Sequence, residues 1–263
     1  NDKQNINFYV TRADRLCSCL EPNKELLSEF PNSERFDVLK KIELPANTLD
    51  DILQGTNEVD KVLKRPDFVK IDTQGTELFI LEGMKDTLSK SIFGIEVEVE
   101  FIEMYRDQPL FNELDGYLRS KGFYLFDLKK FYWKRNSGLG FDKNHKGQMV
   151  HGDALYFRKP ECYLDILLSE DNHPDERLLK AVAIAWFFGY SDYALFLLEM
   201  GAANQIISNA NFLSISKVIK KNSRLDLSLP YFKGKGLLRS FFAMLFDGND
   251  DGWAKVDSHK LGN

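Results

Sequence analysis

The sequence predicts an α/β protein: βαβα units and an antiparallel strand pair, followed by an α-helical extension. Three observations carry this reading. From Phe68 to Gly122, short apolar runs alternate with segments of helical period, giving a βαβα order. Two β-rich runs, Phe123 to Leu128 and Ala154 to Phe157, follow with no helical pattern between them and read as an antiparallel pair with a long connection. Beyond Pro160 strand formers give way to helix formers. The expected organisation is therefore two units, residues 1–160 and 161–263. A chain of 263 residues that is 43% hydrophobic and 13% aromatic can fill one large core and a smaller satellite.

Taken in order, Ile6 to Val10 reads as a strand, and a polar stretch through Pro22 and Pro31 carries loop signals. Val38, Ile42 and Leu44 suggest a second strand closed by Pro45. Asn47 or Thr48, with Asp51 three residues after Thr48, then caps a helix ending near Gly55. Phe68 to Asp72 is a short strand, Gln74 and Gly75 a turn, and Thr76 to about Ser89 one helix with Leu78, Leu81, Met84 and Leu88 on its inner face. Ile92 to Phe101 alternates Ile95, Val97 and Val99 against Glu96, Glu98 and Glu100, a strand with one acidic face. Asp107, with Pro109 just inside, is read as the cap of a helix that stops at Gly122. Between the last two strands, the segment carrying Gly138, Gly140, Gly147 and Gly152 is long enough to serve as a lid. In the extension, helices are expected over Tyr163 to Leu168, Asp175 to Phe188 and Asp192 to Met200, with Ser191 as a cap and Gly201 as a stop. The tail from Asp247 reads as a fraying end.

Composition excludes several classes of function. Lys plus Arg total 35 against 40 Asp plus Glu, a net charge of −5, so no overall basic field draws the chain to nucleic acid or anionic lipid. A cationic segment, Lys217 to Arg239, is the one local exception; it reads as a solvated helix face or a patch for an anionic group. Three cysteines, Cys17, Cys19 and Cys162, are no disulfide framework and point to a reducing, cytoplasmic setting. The longest apolar run, Ala181 to Phe188, is too short to span a membrane.

The stretch Asp67 to Glu77 places Lys70 and Asp72 inside an otherwise apolar strand, where charge is costly unless paired or used. Read with Thr48 to Asp51, Glu98 to Phe101, Gln108 to Phe111, Gly122 and Phe123, and Asp153 to Phe157, it resembles the FkbM-type methyltransferases over about Ile6 to Lys159. The resemblance implies a class I methyltransferase sheet, Rossmann-like and doubly wound. Phe68 to Asp72 would be its fourth strand, Ile92 to Glu100 the fifth, Phe123 to Leu128 the sixth and Asp153 to Phe157 the antiparallel seventh. It also implies S-adenosylmethionine as cofactor and a hydroxyl on a sugar or natural product as acceptor. The first glycine of the chain is Gly55, so the donor's glycine-rich loop is expected to be missing from this chain. The exposed edge of the fourth strand would then be covered by an upstream segment or a second copy.

Ligands in open α/β sheets sit outside the carboxyl ends of the strands. By that rule Asp72, Thr73, Gln74 and Gly75 are the cofactor-side candidates, and Asp72, Glu98 and His151 the catalytic ones. Asp72 or Glu98 is the leading base, and His151, read as the end of the lid, is the outside candidate because histidine is the side-chain type suited to acid–base work near neutral pH. Lys70 is expected to pair with Glu96 or Glu98, leaving Asp72 and Glu100 nearer the opening, as a substrate contact or a purely structural pair. Glu77 opens a helix, where the dipole alone accounts for an acid. A divalent metal on Asp72, Glu98 and Glu100 is compatible with hard-oxygen chemistry, but nothing in the spacing demands one and no metal ligand is assigned. The alternative reading is a non-catalytic binding or assembly module, and the residues upstream of Asn1 would discriminate: a strand followed by a glycine loop there favours the enzyme.

Overall fold

The structure, a computed structural model, describes residues 4–55, 65–137, 146–170, 173–222, 253–257 and 261. Strands β1 (Gln4–Thr11) and β2 (Val38–Ala46) pair antiparallel as a separate ribbon, with Pro45 opposite Asn5 rather than closing the strand. Between them lie 3-10 turns and the short helix α1 (Lys24–Leu27). Thr48 Oγ1 accepts the Asp51 amide at 3.1 Å and caps α2 (Leu49–Gly55).

The main sheet has the order β3-β4-β6-β5-β7. Strand β3 (Phe68–Ile71) runs parallel to β4 (Gly94–Glu100), with Lys70 opposite Glu96. Strands β5 (Phe123–Trp133) and β6 (Gln148–Arg158) are antiparallel to each other, and β6 is antiparallel to β4, with Glu98 opposite Asp153 and Glu100 opposite His151. Among the described residues β3 pairs on one side only. Both β5 and β6 are longer than expected, so Gly152 and His151 belong to a strand and not to a lid; Gly138 and Gly140 lie outside the described residues. The tail likewise contains a strand, β7 (Ala254–Val256) on β5, preceded by Trp253, which is buried against Trp133.

The single helix expected after the turn is two, α3 (Glu77–Gly83) and α4 (Lys85–Lys90), broken at Met84. A remote cap makes the break: Asp50 accepts the amides of Asp86 and Thr87 at 2.8 and 2.9 Å and the Thr87 hydroxyl at 2.6 Å, starting a new helix there. Helix α5 (Phe111–Ser120) starts later than expected because Asp107 sits at φ +58, and Glu113 accepts the Leu110 amide at its entry. Helices α3, α4 and α5 cover the sheet face of Ile95, Val97, Val99 and Tyr156.

The opposite face is divided. At the amino ends of β3 and β4 it carries Phe68 and Phe93 and, from β6, Leu155 and Phe157, which pack under α6 (Pro160–Glu170), α7 (Pro174–Phe187) and α8 (Ser191–Ala203). Buried Arg177 of α7 donates to Asp67 at 3.2 Å and to the Lys90 and Ser91 carbonyls, while Arg158 donates to the carbonyls of Ile92, Lys121 and Leu88. These guanidiniums satisfy the orphan carbonyls that end α4 and fasten the extension to the sheet. Gly201 is not a stop: it lies within α8 against Leu178, and the helix runs on to Ala203. Helix α9 (Asn209–Asn222) carries Lys217, Lys220 and Lys221; the rest of the cationic segment lies outside the described residues. No described helix is long and apolar enough to cross a membrane.

Candidate functional site

Towards the carboxyl ends of β3 and β4 the divided face turns from apolar to charged, because every second residue there is Lys70, Asp72, Glu96, Glu98 or Glu100. Lys70 Nζ meets Glu96 Oε1 at 2.8 Å; the lysine is more than half exposed, so the pair fixes register and contributes little stability. Glu98 and Glu100 lie beyond it and are buried.

The turn after β3 organises the rim. Gln74 adopts the left-handed conformation at φ +59 and Gly75 follows at φ +99, a sequence that folds the backbone back over the strand ends. Ser18 Oγ donates to the Gln74 carbonyl at 2.7 Å, so the segment after β1 braces this turn. The Gln74 amide nitrogen then donates to both Asp72 Oδ1 at 3.0 Å and Glu98 Oε2 at 2.7 Å. Tyr105, fully buried, donates to the Leu16 carbonyl at 3.0 Å and reaches Gln74 Oε1 at 3.4 Å.

Glu77 is the residue the sequence undervalued. It is 2% exposed, and its carboxylate accepts the Thr73 amide at 2.7 Å, the Thr73 hydroxyl at 3.0 Å and the Gly75 amide at 3.0 Å. One carboxylate oxygen each from Glu77, Glu98 and Glu100 lies within 4.8 Å of the others. Burial pushes Glu77 up to about 7 against the pull of its hydrogen bonds, with the Glu98 charge adding to the rise. Burial raises Glu98 too, opposed by His151, and raises Glu100 well above the ordinary carboxylate range, helped by the Glu77 and Glu98 charges.

His151 closes the site from β6. Its Nδ1 lies 3.2 Å from Glu98 Oε1, off the line of a hydrogen bond, and its ring stacks on Phe131 at 4.4 Å between centroids. Asp153, opposite Lys129 on β5, is raised by burial and drawn down by Lys129 and Lys70. The structure therefore brings Asp72, Gln74, Glu98, Glu100 and His151 together, adds Glu77, and keeps Lys70 and Glu96 as a separate pair alongside. Thr73 and Gly75 serve as donors to Glu77. An exposed carboxylate beside a buried, protonatable cluster and an imidazole is equipped to take and hold a proton at a sheet rim.

Residues 1–125 match the family model described as the Methyltransferase FkbM domain. The match covers the ribbon, the turn, β3, α3, α4, β4, α5 and the first residues of β5. It ends short of Lys159, so His151 and Asp153 lie outside it, as does the helical extension. No curated protein and no solved structure matches the chain.

Proposed function

We propose that the chain carries the acceptor side of an S-adenosylmethionine-dependent methyltransferase that methylates a hydroxyl oxygen of a sugar or natural product. The observation that carries the proposal is that the family match covers the strands and turn that build the acidic rim. The sheet order supports it: β3-β4-β6-β5 corresponds to strands four, five, seven and six of a class I methyltransferase, with the seventh antiparallel. In this reading Asp72, the exposed acid, takes the acceptor's proton, while Glu98 is held by Gln74 and backed by His151. Methyl transfer needs the acceptor oxygen in line with the sulfonium methyl at roughly 3–3.5 Å, so the orientation fixed by Gln74 matters as much as the base.

The donor's glycine loop is proposed to lie outside this chain, on the side of β3 that pairs with no strand among the described residues, since no glycine precedes Gly55. Calorimetric titration with S-adenosylmethionine separates the parts of the proposal. This chain alone is expected to show no donor binding, and a chain extended by the residues encoded upstream of Asn1 is expected to bind one donor. Binding by the short chain would refute the missing loop; no binding by the extended chain would refute the methyltransferase reading.

A further inference from the structure

We propose that Glu77, Glu98 and Glu100 form a binding site for one hard divalent cation at the buried end of the rim. The three carboxylates come from two elements, the first turn of α3 and the inner face of β4, and each offers an oxygen within 4.8 Å of the other two. Among the described residues no lysine or arginine touches any of them; the nearest base, His151, meets Glu98 alone, off the line of a hydrogen bond. Three buried acids without a cation are expensive to keep together.

A second observation points to a ligand. Glu100 Oε1, on a side chain that is 2% exposed, has no hydrogen-bond partner, and the buried Gln108 Nε2 that acts on the same carboxylate is likewise without one. Buried acceptors are almost always satisfied, and a coordinated cation satisfies this one. The other two carboxylates are held in place from behind. Glu77 is fixed by Thr73 and Gly75, and Glu98 by the Gln74 amide, while Glu77 Oε2 and both Glu98 oxygens keep a lone pair for a ligand.

The donor set selects the ion. Oxygen ligands alone favour Mg2+, Mn2+ or Ca2+ over Zn2+ or Cu2+. The three ligand atoms, all within 4.8 Å of one another, are close enough to share one such ion. Water would complete the coordination shell. The inference is independent of methyl transfer, since a cation site here needs no donor and no acceptor, and it leaves Asp72 free as a base.

The test is calorimetry of the full chain with CaCl2 and MgCl2, with melting curves in chelator and in excess ion. Wild type is expected to bind one ion per chain and to melt higher with it. Glu100→Gln, which keeps the shape and removes the charge, is expected to weaken binding by at least about tenfold. Its melting in chelator should not fall below that of wild type. Glu98→Gln is the second variant should the first fail to fold, with the same expected loss. Absence of stoichiometric binding by wild type overturns the proposal, and so does wild-type affinity in either folded variant. An infrared carboxylic acid band near neutral pH, with no ion bound by wild type, would instead assign the cluster to a shared proton.

Discussion

Gln74 shows how much one residue can organise. Its backbone takes a left-handed conformation that costs a non-glycine residue of order 1 kcal/mol, and its amide ties Asp72 to Glu98. Sequence reasoning found Gln74 by its place in the turn after a charged strand. It found Asp72, Glu98 and Glu100 because alternation in β4 exposes an acidic face as text. Glu77 escaped because an acid at a helix start already has an explanation; the signal available was its spacing from Thr73 and Gly75, whose amides it accepts. His151 was found for its chemistry but misplaced, because two glycines and a long polar run hid the amino half of β6. Asp50 is a residue whose task is wholly structural and testable. Burial would raise its carboxyl, but hydrogen bonds from Thr87 and Asp86 outweigh this and hold it below the ordinary range. Asp50→Ala is expected to cost ~1–2 kcal/mol at pH 7 by chemical denaturation, as a lost helix cap does. The sign of its pH dependence follows from the lowered carboxyl. The charged cap contributes fully above the ordinary Asp range of about 3.9 and is lost as pH falls through the lower folded value. The stability gap between wild type and Asp50→Asn should therefore shrink in acid; a gap that widens there would contradict the assignment.

At the scale of elements, patterns with a period were legible and their interruptions were not. Helical spacing of Leu78, Leu81, Met84 and Leu88 is continuous across α3 and α4, yet the helix breaks because its second half is capped by Asp50, which lies 36 residues away from Asp86. Gly201 was read as punctuation; in the fold it is a helix crossing. A Cβ at this position would collide with the Leu178 side chain, so the α7/α8 hairpin needs glycine for close approach. Gly201→Ala is expected to destabilise by about 1–3 kcal/mol, the usual cost of overpacking, despite alanine's better helix propensity. Adding Leu178→Ala should restore room, so the double variant should lose less than the sum of the two single changes. Additive losses would show that the two helices do not meet there. The cost of Arg177→Met is harder to offset. It leaves half-buried Asp67 with only the more exposed Lys180, at 3.7 Å, and frees the carbonyls of Lys90 and Ser91, so a loss of about 1–3 kcal/mol is expected by denaturant titration.

Across the whole molecule one sheet face is shared by two tasks. Its amino half is apolar and covered by the helical extension; its carboxyl half is acidic and faces the rim. The βαβα order, the antiparallel pair and the helical composition beyond Pro160 were visible in the sequence because each rests on local periodicity. The packing of the extension onto the same face was not, since it depends on Phe68, Phe93 and Phe157 meeting α7 and α8 across long separations. Trp253 and β7 were missed for a related reason: a polar tail conceals three strand residues whose partner, β5, is more than a hundred residues away. The reading of this molecule as a methyltransferase rests on a match to residues 1–125 and on a rim whose acids Asp72 and Glu98 are tied together by Gln74. Its sharpest test is radiolabelled methyl transfer from S-adenosylmethionine to a panel of hydroxylated sugars and natural products, using the upstream-extended chain and its Asp72→Asn variant. Label in an acceptor oxygen, lost in Asp72→Asn while donor affinity stays unchanged, is the expected outcome; no transfer by the extended chain, or equal transfer by the variant, would contradict the roles assigned to this rim.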